Sequence, residues 1–279
     1  MAATVIPVET IPSIDPATGK ILAQYEKTLP AALPGILVRA RAAQVAWNSV
    51  PVEHRCAQLR VLRDSMMVSR GTLADAVVAE AGKPRVEAIF ADIFVAVDTA
   101  EYFAKNGARL LRSERVPHHS SAGKAKSGRL VYEPLGVIGI IGSWNYPLAI
   151  PLSQIIPAVA AGNAVVCKTS DFTPQCGALI EKLFADAGFP KDLVTVVQGG
   201  GDVGQALIDA APDKLMFTGS VGTGRRVAEA CAKKLIPSVL ELGGKDAMIV
   251  LADANLQVAA SAAVWGLSLI HISEPTRRS

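Results

Sequence analysis

The chain lacks a charge excess of either sign. Its 279 residues carry 28 basic and 25 acidic side chains, a net charge of +3. Glu274, Arg277 and Arg278 near its end account for part of that small surplus. A nearly balanced body leaves no electrostatic footprint for nucleic acid, and none is expected as a partner. The basic residues between Arg109 and Arg129 are interleaved with serine, glycine and Glu114, as on a solvated ribbon. Cysteine is scarce. Cys56, Cys167, Cys176 and Cys231 show no paired metal or redox spacing, so no metal site is expected. Met1–Glu9 lacks a positive segment followed by an apolar stretch, and no secretory signal is read there. Reduced thiols in a cytoplasm are then the default. A long unbroken apolar run is also missing. Residues 134–167 carry no charge, but Gly136, Gly139, Gly142, Asn145, Pro147 and Pro151 interrupt them. A spanning helix wants roughly 20 continuous apolar residues. Two buried strands flanking a helix fit better, and no membrane is expected.

What is present is ample material for a core. Half the residues are hydrophobic and mean hydropathy is +0.32, enough for one large or two modest domains. Ser13–Gly19 is turn chemistry, with proline after aspartate and glycine close behind. Residues 34–106 have a helical pattern. From Val52 and Glu53 onward, Leu59, Leu62, Met66 and Met67 are expected to share a face. Gly71 and the Gly82-Lys-Pro84 turn are expected to punctuate the stretch, and a second amphipathic segment runs from Val86 to about Phe103. Beyond Arg129 the pattern changes. Apolar, β-branched runs stand at Val137–Ile141, Ala164–Cys167, Leu193–Val197, Lys214–Phe217, Val239–Leu242 and Met248–Leu251. Helical stretches Leu148–Ala161, Gln175–Ala187, Val203–Ala210 and Gly224–Lys234 lie between most of them. Such alternation predicts an α/β fold, a parallel sheet with helices on its faces. Ligands of such sheets bind beyond the carboxyl ends of the strands, and the polar motifs follow the apolar runs. The intervening Arg109–Tyr132, with His118-His119-Ser-Ser-Ala-Gly123, has little to bury and reads as an exposed linker or a protruding hairpin arm.

Four motifs carry chemistry. Phe217-Thr-Gly-Ser-Val-Gly-Thr-Gly224 follows a strand and opens a helix. Its glycines let backbone approach a phosphate, the free N–H groups of the helix start attract it, and Ser220 is placed to cap the helix. A glycine-rich turn that merely joins strand to helix reads equally well. Ala164-Val-Val-Cys-Lys-Thr-Ser-Asp171 ends a strand with Lys168 and Asp171, both within reach of ribose hydroxyls or, more plainly, of each other in a surface ion pair. Val239-Leu-Glu-Leu-Gly-Gly-Lys245 puts Glu241 on an apolar strand, where a carboxylate is costly to bury unless hydrogen-bonded or kept for proton transfer. Ser143-Trp-Asn-Tyr-Pro147 puts an amide at a strand end, placed to stabilise an oxyanion or simply to form a turn.

In this order the motifs resemble the aldehyde dehydrogenase superfamily, over about Asp15 to Gly266. Asp15-Pro-Ala-Thr-Gly19 is similar to its N-terminal turn and Glu80-Ala-Gly-Lys-Pro84 to its helix-end motif. The resemblance implies a Rossmann-like cofactor domain with helices on both faces, in an aldehyde dehydrogenase-like fold that is incomplete. Residues 1–108 and 133–245 would form the NAD(P)-binding domain, 109–132 the oligomerisation arm and 246–266 the start of a catalytic domain. Residues 267–279 read as a foreign tail, similar to translated adapter sequence. The implied function is NAD(P)-dependent oxidation of an aldehyde to a carboxylic acid. Asn145 would be the oxyanion-hole amide and Glu241 the general base. Lys168 and Asp171 would hold the adenosine ribose and Ser220 the pyrophosphate. Trp144, Gly219, Gly224, Leu242 and Gly243 would also contact the cofactor. NAD is expected, with NADP as the alternative, and a homo-oligomer in the full-length parent.

Three departures stand out. Asp171 replaces the usual glutamate, shortening its reach. Thr169 replaces the usual proline, which is expected to be harmless. The family's nucleophile sits in an F-x-N-x-G-Q-x-C loop after a segment like 253–266, whereas residues 267–279 contain no cysteine. Its cysteine would attack the aldehyde to give the thiohemiacetal that donates hydride. The chain is therefore expected to be inactive. The alternatives are a semialdehyde or CoA-acylating dehydrogenase, or a nucleotide-binding or misfolded fragment that is no enzyme.

Overall fold

The structure, a computed structural model, describes residues 9–117, 126–245 and 247–273, with backbone alone at 265 and 267–273. It opens with a hairpin of β1 (Thr10–Ile14) and β2 (Ile21–Glu26). The turn forms as its chemistry predicts. The Asp15 carboxylate accepts from the Ala17 N–H and the Thr18 hydroxyl, each at 2.8 Å, and Gly19 takes a φ of 71°.

Helices α1 (Leu33–Asn48) and α2 (Val52–Ala81) follow. Leu59, Leu62 and Met66 are fully buried, but Met67 is 45% exposed. Adjacent helical residues point about 100° apart, so Met66 and Met67 cannot share the inner face. Nor does Gly71 break α2, which runs through it. A glycine there costs about 1 kcal/mol relative to alanine, less than the buried Leu73, Ala74 and Val77 just beyond it contribute to continuation. Gly82 does end the helix, at a left-handed φ of 65°. Then come α3 (Arg85–Glu87), a π-helical stretch (Ala88–Phe94) and α4 (Val95–Leu110).

Strands β3 (Glu114–Val116) and β4 (Gly128–Leu130) pair antiparallel. Within the segment expected to be a linker or a hairpin arm, an antiparallel strand pair is thus present; residues 118–125 lie outside the described residues.

The rest alternates strand and helix: β5 (Val137–Ile141), α5 (Ala149–Ala160), β6 (Ala164–Lys168), α6 (Pro174–Asp186), β7 (Val194–Val197), α7 (Gly201–Asp209), β8 (Lys214–Gly219), α8 (Val221–Lys233) and β9 (Ser238–Leu242). All five strands are parallel, in the order β7-β6-β5-β8-β9. Right-handed crossovers put α5 and α6 on one face and α7 and α8 on the other. Helices α2 and α4 back α5, and α1 packs on the central strands. Every residue of β5 and β6 is buried, as continuous apolar runs in a doubly covered parallel sheet should be. Three side chains satisfy the carbonyls at the end of α5. Trp47 donates to Val159 O at 2.8 Å, Arg55 to Ala160 O at 3.1 Å and Gln44 to Gly162 O at 2.8 Å.

One expected strand is absent. Met248–Leu251 pairs with nothing among the described residues, and its side chains are 47–82% exposed. Its β-branched content supplies propensity, but a strand also needs a ladder partner, and context outweighs propensity. Helix α9 (Leu256–Ser273) follows, with the Asn255 carboxamide oxygen accepting from Gln257 N at 3.0 Å and Val258 N at 3.2 Å. Among the described residues no helix is long and apolar enough to cross a membrane.

Candidate active site

The carboxyl ends of all five strands open into one cleft of about 870 Å³. It lies where the strand order reverses, between β5 and β8, the place such sheets use for ligands. Residues at and after the strand ends line it, together with α5, α7 and α8.

The β5 wall carries Ser143, Trp144 and Asn145. Asn145 is 7% exposed. The Ser143 hydroxyl donates to its Oδ1 at 2.6 Å. That bond fixes the orientation of the carboxamide, whose Nδ2 is a hydrogen-bond donor. At the β6 wall Lys168 is 6% exposed. Burial lowers its pKa from the ordinary 10.5, opposed chiefly by Asp171 and also by Asp202. Asp202 is itself tied to Lys27 at 2.9 Å. Asp171 is exposed and lies beside rather than in the lining. A Cβ on Gly200 would sit 3.5 Å from its Oδ2.

At the β8 wall Ser220 is extended (φ −68°, ψ 149°) and its Oγ accepts from Thr223 N at 3.3 Å, capping α8 as the motif predicts. That leaves the N–H groups of Val221 and Gly222 at the helix start without an intrahelical acceptor. Nothing lies within 4 Å of where a Gly222 side chain would begin. Gly219 also lines the cleft. Gly224 does not. A Cβ there would come within 2.5 Å of Leu242 Cδ2, so its bareness lets α8 close on β9, and its effect reaches the cleft only through Leu242. The β9 wall offers Glu241, Leu242 and Gly243. The apolar strand raised the cost of burying Glu241; the residue is exposed, because β9 pairs with β8 alone among the described residues. Its solvation is therefore not at stake.

None of the four cysteines lines this cleft; all are buried. Burial pushes Cys167 up to about 12 and Cys176 well above its ordinary value. It raises Cys56 and Cys231 as well. A thiol held protonated is a poor nucleophile. The Thr169 hydroxyl is buried and has no hydrogen-bond partner. Among the described residues no group of three or more histidine, cysteine or acidic side chains could hold a metal ion.

The sequence reading missed several lining residues. Gly200 and Gly201 follow β7 in a run of three glycines that opens α7, the same signal that marks β8. Gln154 reaches Thr218 Oγ1 from α5 at 3.4 Å, and Thr218 is the register partner of Glu241. No local signal announces that pairing.

The model of the aldehyde dehydrogenase family matches residues 5–271. The chain belongs to the aldehyde dehydrogenase family. It is 37% identical over 257 residues to 4,4'-diapolycopene aldehyde oxidase of Methylomonas sp, covering 92% of this chain and 48% of that one. It is 43% identical over 226 residues to a putative succinate-semialdehyde dehydrogenase [NADP(+)] of Mycolicibacterium smegmatis, covering 81% and 43%. The solved NAD-dependent benzaldehyde dehydrogenase of Corynebacterium glutamicum superposes with a TM-score of 0.85 at 29% identity, covering 94% and 57%. The chain spans about half the length of the curated relatives it matches. Within this family the parallel sheet and its strand-end motifs are the expected architecture.

Proposed function

We propose that this chain forms the cofactor-binding part of an enzyme that oxidises an aldehyde to a carboxylic acid with NAD(P). The observation that carries the reading is the gathering of Asn145, Lys168, Ser220 and Glu241 around one cleft. The open helix start at Val221 and Gly222 fits a pyrophosphate. Lys168 would donate to the adenosine ribose and Asp171 would accept from it. Trp144, Gly219, Leu242 and Gly243 would also contact the cofactor. When bound, the nicotinamide supplies the hydride acceptor. The chain's own part is then to hold charge and move a proton. Asn145 Nδ2 donates to the oxygen that becomes negative when a thiolate attacks the aldehyde carbon. Glu241 removes a proton from the water that hydrolyses the thioester. None of the chain's cysteines is placed to be that nucleophile, so the chain by itself binds cofactor without turning over. Residues 1–108 and 133–245 would serve as the cofactor domain and residues 109–132 as an oligomerisation arm.

Asp171 favours NAD, since a carboxylate there repels a 2′-phosphate. A second reading, NADP and a semialdehyde substrate, is favoured by the name of the mycobacterial relative and by the buried cation of Lys168. The test of function uses the full-length enzyme. Glu241→Gln should leave a burst of reduced cofactor without steady turnover. Asn145→Ala should lower the rate by about 10²–10³. Unchanged kinetics in both would overturn the assignment. Comparing kcat/KM for NAD and NADP, with and without Asp171→Ala, separates the two cofactor readings.

A further inference from the structure

We propose that the buried ion pair Lys83–Asp92 is a positioning element that holds Asn145 in the cleft wall. The proposal rests on the role given above to Asn145. Lys83 Nζ and Asp92 Oδ2 lie 2.6 Å apart with both side chains 0% exposed. Withdrawing two charges from water is costly, and their attraction only roughly offsets it; an apolar pair of the same shape would serve a core as well. Stability therefore does not explain the pair, but its other contacts do. Asp92 Oδ1 accepts from Leu148 N at 3.2 Å and Ala149 N at 3.0 Å. One carboxylate thus fixes where α5 begins. Lys83 Nζ stands 3.7 Å from the ring centre of Tyr146, a cation–π contact strengthened by the dry surroundings. Burial draws Lys83 toward its neutral form, and Asp92 and Glu87 oppose that.

These contacts bracket the connection from β5 to α5. At its start Gly142 N donates to Lys168 O at 3.0 Å. In its middle Ser143 holds the Asn145 oxygen. Tyr146, the next residue, is held by Lys83, and the far end by Asp92. Neither charged residue belongs to the nucleotide sheet. Lys83 follows the left-handed Gly82 at the end of α2, and Asp92 lies in the π-helical stretch. The helix-end motif thereby supports the oxyanion amide from behind, without touching a ligand. An amide set before substrate arrives stabilises developing charge without reorganisation at the moment of reaction.

The test uses this chain as it stands. The double variant Lys83→Met/Asp92→Asn removes both charges while keeping their approximate volume and the Oδ1 acceptor. The side-chain amide signals of Asn145 are followed by NMR after selective ¹⁵N-asparagine labelling, with Asn145→Gln for assignment. Ile156→Val, a lesion in the buried face of α5, is the control. The expected result is a urea midpoint close to wild type together with Asn145 signals shifted and broadened in the double variant. The control should lower the midpoint and leave those signals in place. Unmoved Asn145 signals in the double variant would overturn the proposal. So would equal movement in Ile156→Val, or a double variant that fails to fold, since the pair would then serve the core. No aldehyde or cofactor enters these readouts. If Asn145 is not the oxyanion donor, that shows in the Asn145→Ala kinetics, whereas a failed clamp shows here.

Discussion

Strands β5 and β9 end at the same edge of one sheet, and each presents a predicted catalytic residue to the cleft. β5 has neighbours on both sides and every residue buried, whereas β9 pairs only with β8 and exposes its last two residues, Glu241 and Leu242. The cleft therefore has a preorganised wall and an open one. Asn145 is buried and held through Ser143, Lys168 is buried, and Glu241 stands exposed on β9. Apolar sequence is similar in both regions; what differs is whether the described chain supplies a partner. The cofactor half of the chemistry should then be present in this chain and the turnover half absent.

The largest effect tests the absence. Reduction of NAD(P) by the chain with a short aliphatic aldehyde should run at least a thousandfold below the roughly 10 per second of an ordinary enzyme. In parallel, a thiol reagent should label the native chain slowly and the urea-unfolded chain fast, since all four thiols are buried. Turnover near the ordinary rate would mean that one of these thiols does reach the cleft.

Next comes the packing contrast. Ile140 on β5 is 0% exposed and Val250 beyond β9 is 47% exposed. Ile140→Ala should cost about 2–5 kcal/mol in chemical denaturation. Val250→Ala should stay within about 0.5 kcal/mol. Equal costs would erase the distinction between the two regions. The same exposed run, with Ile249 82% and Leu251 65% exposed, should drive association. The wild-type chain is expected to elute as mixed oligomers in size exclusion, and Ile249→Lys/Leu251→Lys should shift it toward a single smaller species.

A smaller effect belongs to the β8 wall. Ser220→Ala should lower stability by about 1 kcal/mol through loss of the cap, visible as a lower urea midpoint. A midpoint unchanged within error would mean that the cap at Thr223 N is not formed in solution.

How far the fold was legible follows the same division. Between Val137 and Lys234 the expected strands and helices match the structure closely, because buried parallel strands carry unbroken apolar runs and the glycine turns separate them. Met248–Leu251 was misread because propensity is local and strand pairing is not. Gly71 was over-read as a breaker for the same reason: the packed face on either side of it outweighs one residue's preference. Of the site, Asn145, Lys168, Ser220 and Glu241 were legible from motif and strand end. The exposure of Glu241 depends on β9 having one neighbour among the described residues, and the role of Gly224 depends on contact with Leu242. Asp92 meets Leu148 across 56 residues of sequence, a distance no local pattern spans.

The preorganised wall should bind a dinucleotide in this chain. Calorimetric titration with NAD tests it most directly, run on wild type, Lys168→Met and Glu241→Gln. The expected result is saturable binding at one site per chain. Affinity should fall about tenfold in Lys168→Met, the size of one lost charge-assisted hydrogen bond, and stay nearly unchanged in Glu241→Gln. It should also decline as pH rises through the Lys168 pKa, below the ordinary lysine value of 10.5, because deprotonation removes the cation proposed to hold the ribose. A folded chain without saturable binding, or binding indifferent to Lys168→Met, would mean that this wall is not a dinucleotide site.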